Sequence, residues 1–266
     1  MEVLVVGAGE MGRWAGATLA PEFDVAYADR DPAAARAAAA TTPDARPVAL
    51  DGSETFDAVC LAVPISAAAD AVADHAPRAD RAVFDVTGVM AAPVAAMRES
   101  ASERERLSLH PLFAAANAPG NVAAVRDAPG PVTDRVCDAL AAAGNRVFET
   151  TPEEHDEAME TVQAGAHAAV LAYALAAEDV REEFATPVSE ALSALAETVT
   201  GGNPRVYREI QESFPGADRV ADAAAELAAA DAETFERLYR EANATNERAS
   251  ADADASDDGT EESDPP

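Results

Sequence analysis

No lysine occurs anywhere in the 266 residues, so all 19 basic side chains are arginine, set against 49 Asp and Glu for a formal net charge of −30. This shortage of cations argues against a nucleic-acid partner, because such a partner is held by clustered Lys and Arg. Cysteine is nearly as scarce. Cys60 sits in the apolar run AVCLAV and Cys137 in a helical pattern, so both read as small hydrophobes and not as a bridge. Long apolar runs are missing too: the longest, residues 164–177, is mostly alanine and falls short of the roughly 20 residues that span a bilayer. Met1 opens directly on a strand pattern with no leader-like segment before it. A cytoplasmic protein with no membrane partner is expected. The acids are spread from Asp29 onward, and 48% of residues are hydrophobic, so the bulk is a folded core under an acidic skin. That pattern points to a high-salt cytoplasm, where a Debye length of about 3 Å at 1 M salt screens self-repulsion.

What is present begins at the N-terminus. MEVLVV leads into Gly7-Ala8-Gly9-Glu10-Met11-Gly12, a small-residue helix pattern follows, and DVAYAD ends on Asp29. This reads as strand, glycine turn, helix, strand and acid. Gly7 permits the tight turn, Gly9 lets the backbone approach a pyrophosphate, and Gly12 allows close helix–strand packing. The free N–H groups and positive dipole end of the helix at Glu10 and Met11 would hold the diphosphate. Asp29 stands at the spacing of the acid that accepts hydrogen bonds from the adenosine ribose, which favours NAD; Arg30, next in line, could pair with a 2′-phosphate and soften the preference over NADP.

Strand patterns at 3–6, 25–28, 48–50, 58–63, 82–86 and 106–109 alternate with helical ones at 31–40, 66–75 and 93–100. The alternation predicts an α/β fold: a Rossmann domain, doubly wound on a mainly parallel sheet, over residues 1–150. Strands at 122–126 and 146–150 flank a helix at 131–143 and complete it. From Thr151-Pro152-Glu153-Glu154, an N-cap followed by proline and acids, the chain should be all helical. Helices are expected from there to about 183, then at 187–200, 204–213 and 217–242, forming a helical substrate and dimerisation domain over 151–243. Residues 164–177 are apolar nearly all round and should be buried on several sides. Residues 244–266 show no periodicity and read as a disordered acidic tail.

Ser108-Leu109-His110-Pro111-Leu112-Phe113 closes a late strand. Side chains at the carboxyl ends of parallel strands face the cofactor crevice, so His110 either meets substrate there or fixes the turn before Pro111. Ala62-Val63-Pro64 follows the fourth strand, Asp85-Val86 the fifth, and Glu154-His155-Asp156, His167 and Asn203-Pro204-Arg205-Val206-Tyr207-Arg208-Glu209-Ile210-Gln211 come later in that order. In this conjunction, over residues 1–215, the chain resembles the prephenate/arogenate dehydrogenase family. With the acid excess, it reads as a haloarchaeal-type member. The resemblance implies oxidative decarboxylation of prephenate, or of arogenate, with NAD or NADP as hydride acceptor and a homodimer formed through the helical domain. It assigns His110 the catalytic role, His167 a place at the substrate and Val63 and Pro64 a place at the cofactor. His155 is expected to tie the helical domain to the sheet, and His75 to be solvated.

The chain departs from the family at three points. The serine that supports the catalytic histidine is Gly88, the lysine two residues on is Met90, and a substrate-binding arginine falls on Thr198. Thr87 could supply the missing hydroxyl. A dicarboxylate needs a cation, for which Arg205, and then Arg208, are the nearest candidates. β-Hydroxyacid dehydrogenases share the layout but rely on a lysine, which this chain lacks. A nucleotide-binding regulator that has lost its active site is the rival from outside enzymology. The charge carries its own prediction: the unfolding midpoint should rise steeply between about 0.1 M and above 1 M KCl as carboxylate repulsion is screened. A flat profile in a salt-dependent thermal melt would remove the high-salt reading.

Overall fold

The computed structural model describes residues 1–257. Eight strands form one sheet: β1 (Glu2–Val6), β2 (Asp24–Ala28), β3 (Arg46–Pro47), β4 (Phe56–Leu61), β5 (Ala79–Asp85), β6 (Glu105–Pro111), β7 (Asn121–Ala128) and β8 (Arg146–Glu149). Their order is β3-β2-β1-β4-β5-β6-β7-β8. All neighbours are parallel except β6 and β7. Around the sheet lie α1 (Glu10–Leu19), α2 (Pro32–Thr41), α3 (Ala68–His75), α4 (Ala91–Ser100) and α5 (Pro131–Ala142). The fold is the expected Rossmann-like sheet followed by helices. β3 lies two residues earlier than the 48–50 run, because Arg46 and Pro47, and not the apolar triplet after them, pair with Ala26 and Tyr27.

Alternation along the strands sorts the core into two layers. Val3, Val5, Tyr27, Phe84, Leu107 and Leu109 face α1, α2 and α5 through Leu19, Ala38 and Val136. Leu4, Val6, Leu61 and Val83 face α3 and α4 through Val72, Val94 and Met97. Val3 to Val6 are all buried, as befits a central strand covered on both faces.

The helical part comprises α6 (Pro152–Met159), α7 (Ala166–Ala176), α8 (Pro187–Thr200) and α9 (Pro204–Ser213). Their starts follow local chemistry. The side chains of Thr151, Thr186 and Asn203 accept from the amides of Glu154, Ser189 and Arg205, each with proline at the first helical position. Two expectations fail here. The helix from 151 does not run to 183: a π-helical turn over Glu160–Gly165 joins α6 to α7, which ends at Ala176. Nor is the run over residues 164–177 a buried core: Ala164 and Gly165, in the π turn, are buried, but no residue of α7 is buried within one chain. A small cluster of Val89, Met159, Ala164, Ile210 and Phe214, with Ile65 and Leu112 against it, packs α6, the π turn and α9 on the loops above the sheet.

The compact division of the chain falls after Gly216 and not at 150/151, so α6 to α9 belong to the same unit as the sheet. The unit starting at Ala217 contains α10 (Gly216–Ala229) and α11 (Ala232–Asp257). The single helix expected over 217–242 is interrupted because Asp231 caps a new start, its carboxylate accepting from the Thr234 amide. α11 then continues to Asp257, where disorder was expected from 244; residues 258–266 lie outside the described residues. Apolar periodicity misses such a helix because i,i+4 pairs such as Arg237–Glu241 and Arg240–Glu236 support it. Among the described residues no helix is long and apolar enough to cross a membrane. Cys60 and Cys137 are both free thiols, as expected.

Candidate active site

The glycine turn joins β1 to α1. Gly7 has φ +99°, and a Cβ there would lie 2.2 Å from the Ala62 carbonyl oxygen; a Cβ on Gly12 would meet the Gly7 carbonyl oxygen at 1.8 Å. Both positions therefore require glycine. Gly9 is the opposite case: nothing lies within 4 Å of where its Cβ would be, so the turn is open on that side. Gly9 also caps α1 without any side-chain hydrogen bond, leaving the amides of Glu10, Met11 and Gly12 aimed outward. Arg13 donates to the Ala8 carbonyl at 3.0 Å, holding its charge over the same turn. At the end of β2, Asp29 accepts from the Ala8 amide at 2.7 Å and the Asp31 amide at 2.8 Å. Each oxygen keeps a lone pair for a ribose hydroxyl. Arg30 is exposed beside it, and Val63 and Pro64 are half-buried after β4. An open glycine, unpaired helix amides and an oriented acid fit a dinucleotide.

His110 closes β6, three strand spacings from β1, or about 14 Å at roughly 4.8 Å per strand. Its Nδ1 lies 2.8 Å from Nε2 of His155 on α6, and His155 Nδ1 lies 2.8 Å from Oδ1 of Asp156. Asp156 also accepts from the amides of Met90 and Ala91 at the start of α4, at 3.1 and 3.2 Å. On its other side His110 Nε2 is 3.3 Å from Nε2 of Gln163, in the π turn. Burial, and then the neighbouring His155, push His110 down to about 3, so its ring is neutral at any working pH. Burial works to raise Asp156, but the hydrogen bonds from His155, Met90 and Ala91 outweigh it and hold the carboxyl below its ordinary range.

The remaining polar residues come from α7 and α9. His167 stacks edge-on against Tyr207, ring centres 4.8 Å apart. Its Nδ1 is buried with no partner among the described residues, and burial lowers its affinity for a proton. Arg205 Nε donates to the buried Glu209 at 2.7 Å, and Ser66, just after Pro64, donates to the same carboxylate at 3.0 Å. The helical part is thereby tied to the loop after β4. Arg208 pairs with Glu212 at 3.0 Å and lines a pocket of about 400 Å³ with Leu171, Val199, Pro204 and Tyr207. A larger cleft of about 630 Å³ is lined by Glu153, Asp156, Glu157 and Glu160. Four carboxylates make it unsuited to an anion.

The nucleotide-binding domain family of prephenate dehydrogenase matches residues 19–128. Over 263 residues the chain is 32% identical to the 4-amino-4-deoxyprephenate dehydrogenase of Streptomyces pristinaespiralis, covering 90% of this chain and 88% of that one. The chain belongs to the prephenate dehydrogenase family. Two solved structures share its fold. A putative prephenate dehydrogenase from Corynebacterium glutamicum has a TM-score of 0.71 at 20% identity, covering 94% of this chain and 89% of that one. Prephenate dehydrogenase from A. aeolicus, solved with hydroxyphenyl propionate and NAD+, has a TM-score of 0.67 at 16% identity, covering 93% and 98%. Homology makes the protein an oxidoreductase with a nicotinamide dinucleotide as cofactor.

The departures from the family now have surroundings. A Cβ on Gly88 would lie 3.7 Å from His110 Nε2 and a crowded 3.1 Å from Ile65 Cδ1; Gln163 reaches the ring from the helical side. Met90 is fully buried, where an ammonium would be costly. Thr198 is exposed, its hydroxyl spent on the Ala194 carbonyl of its own helix. Thr87 does not replace the missing serine: it is buried, and its hydroxyl is held by Asp85 at 2.6 Å and the Val89 carbonyl at 3.0 Å. His155 ties α6 to the sheet as expected, but does so through His110 itself. His75 is half-buried, its Nδ1 enclosed with no partner among the described residues, and not solvated. Gln163 escaped notice, although it stands four residues before His167 and shares its side of the helix.

Asp85, at the end of β5, is fully buried, and burial pushes it up to about 6 despite hydrogen bonds from Thr87. A folded-state value above the unfolded one gives stability that is complete below about pH 4 and is lost as pH rises through about 6. Asp85→Asn should therefore raise the thermal midpoint above pH 6, with the gain vanishing below pH 4. Parallel melts of the two proteins across pH 4 to 8 test this, and a pH-independent difference would clear Asp85 of the effect.

Proposed function

We propose that this protein catalyses NAD-dependent oxidative decarboxylation of prephenate to 4-hydroxyphenylpyruvate, in tyrosine biosynthesis in the cytoplasm. The observation that carries the reading is the neutral His110 ring at the carboxyl end of β6, hydrogen-bonded at Nδ1 and turned with Nε2 toward Gln163. A neutral imidazole accepting from the ring hydroxyl stabilises the positive charge that builds on the oxidised carbon. When bound, the nicotinamide accepts that carbon's hydride. Gly7, Gly9, Glu10, Met11 and Gly12 hold the diphosphate, and Val63 and Pro64 flank the dinucleotide. Asp29 takes both ribose hydroxyls and disfavours a 2′-phosphate, so NAD is preferred. His167, Arg205 and Arg208 meet the substrate carboxylates. The pocket beside Arg208 and the orphaned His167 Nδ1 support that assignment.

One observation favours a second substrate. Among the described residues Gln163 Oε1 has no partner, buried beside His110. A hydroxyl on the reacting carbon has one hydrogen to donate and spends it on His110, whereas an amine can also supply Gln163. This matches the name of the Streptomyces relative. Assays in molar salt with prephenate, arogenate and 4-amino-4-deoxyprephenate, each with NAD and NADP, should rank prephenate with NAD first. A preference for the amine would move the assignment to the second reading, and no turnover on any of the three would favour the regulator. His110→Asn should lower kcat by about 10²–10⁴-fold with little change in KM or thermal midpoint; a stable variant with full turnover rules His110 out as the catalytic residue.

The helical part supports a homodimer. Leu175 on α7 is 87% exposed, Val188 on α8 70%, and Phe184 between them 63%. Such apolar surface on one chain fits burial against a second copy. Sedimentation should report a dimer, and Leu175→Asp combined with Phe184→Asp should give a folded monomer. A monomeric parent would end this assignment.

A further inference from the structure

We infer that His155 and Asp156 are positioning residues that fix the tautomer of His110, and so decide whether its active-site nitrogen accepts or donates a hydrogen bond. The inference deepens the proposed dehydrogenase reading and rests on it for its catalytic consequence, but the tautomer itself is a property of the protein alone.

The argument runs along one line of contacts. Asp156 is ionised and can only accept. The amides of Met90 and Ala91, at the positive end of α4, hold its two oxygens in place. Facing that carboxylate at 2.8 Å, Nδ1 of His155 must carry a proton. With a single proton on that ring, the other nitrogen, Nε2, is a lone pair. It sits 2.8 Å from His110 Nδ1, which must therefore be the protonated nitrogen of that ring. His110 Nε2 is left as an acceptor. The Gln163 amide nitrogen at 3.3 Å is a donor suited to it, and a substrate hydroxyl would be another. The alternative tautomer would set His110 Nδ1, as a lone pair, against the His155 lone pair inside the protein.

The same line serves the reaction in a second way. A ring whose proton affinity is so depressed by burial makes a poor resting place for charge. A proton accepted at His110 Nε2 can be matched by passing the Nδ1 proton to His155 Nε2, which brings the positive charge beside Asp156. It returns by the same route when the substrate oxygen takes its proton back, so the chain gains and loses none.

The bland account is that His155 and Asp156 merely fasten α6 to the sheet and cap α4. The two accounts separate spectroscopically, without cofactor or substrate. With only four histidines in the chain, His110→Asn identifies the His110 imidazole nitrogens in a ¹⁵N spectrum. In the parent protein His110 Nδ1 should be pyrrole-type and Nε2 pyridine-type. A pyridine-type Nδ1, a mixture of tautomers, or a His110 protonated on both nitrogens overturns the proposal; should His110→Asn not fold, through-bond correlations from the His110 ring to its own backbone amide assign the same nitrogens in the parent. His155→Phe removes the acceptor and frees Gln163 to present its oxygen, so His110 should shift toward the Nε2-protonated form and kcat should fall at least about 10²-fold with KM little changed. His155→Gln places an amide oxygen near the former Nε2; it should restore the pyrrole-type Nδ1 and at least about tenfold of the lost turnover. A folded His155→Phe with parental kcat, in a parent that turns substrate over, also overturns it. A correct parent spectrum with no activity on any substrate would instead count against the dehydrogenase reading.

Discussion

A carboxylate held by two backbone amides anchors the geometry on which the site depends. Asp156 is fixed at the start of α4 by Met90 and Ala91, and from it the contacts pass through His155 to His110. These residues come from the loop after β5, from α6 and from the end of β6, so one run of hydrogen bonds joins the sheet to the helical part where chemistry would occur. The apolar cluster of Val89, Met159, Ala164, Ile210 and Phe214 supports the same joint. Glu209 makes a parallel tie, binding Arg205 and Ser66 together. Burial would raise Glu209, yet the hydrogen bonds from those partners hold it below the ordinary carboxyl range. Buried charges of this kind are costly to leave unpaired, which ties the helices to one register against the sheet.

A net charge of −30 works against the binding of any anion, phosphate included. Local devices answer it. The glycine turn contributes uncharged amides at a helix start, which attract phosphate without spending an arginine. Arg13 lies over the same turn. The large acidic cleft and the pocket beside Arg208 divide the surface further, so only the second suits a carboxylate. Screening by salt acts strongly on the exposed acids and weakly on these enclosed groups.

Much of the fold was legible because its signals are local. Strand runs buried on both faces stand out in Val3–Val6, and the proline-led starts of α8 and α9 follow from Thr186 and Asn203 as caps. The positions of the glycine turn, between β1 and α1, and of His110, near a strand end, were also legible, the first from spacing and the second from the apolar run before it. What escaped reading is non-local or unpatterned. The π turn has no apolar period of its own, and α11 is held by charge pairs. The contact of His110 with His155 spans 45 residues of sequence and exists only because α6 crosses the end of β6. Thr87 misled for the same reason: a hydroxyl beside a missing serine looks like a substitute until Asp85 is seen to hold it.

The absence of a side chain at Gly88 is instructive when set beside Gln163. A side chain at position 88 would begin 3.7 Å from His110 Nε2, the same nitrogen Gln163 reaches from the helical side. A serine can both donate and accept by rotating its proton, so it adapts to either state of the ring. An amide cannot: turning its nitrogen to His110 leaves its oxygen buried and unanswered, as it is here. The ring is thus supported from the helical side by a group whose oxygen has no partner among the described residues. A bound group that offered a hydrogen to that oxygen as well as to the imidazole would answer both, which is the physical basis of the second substrate reading.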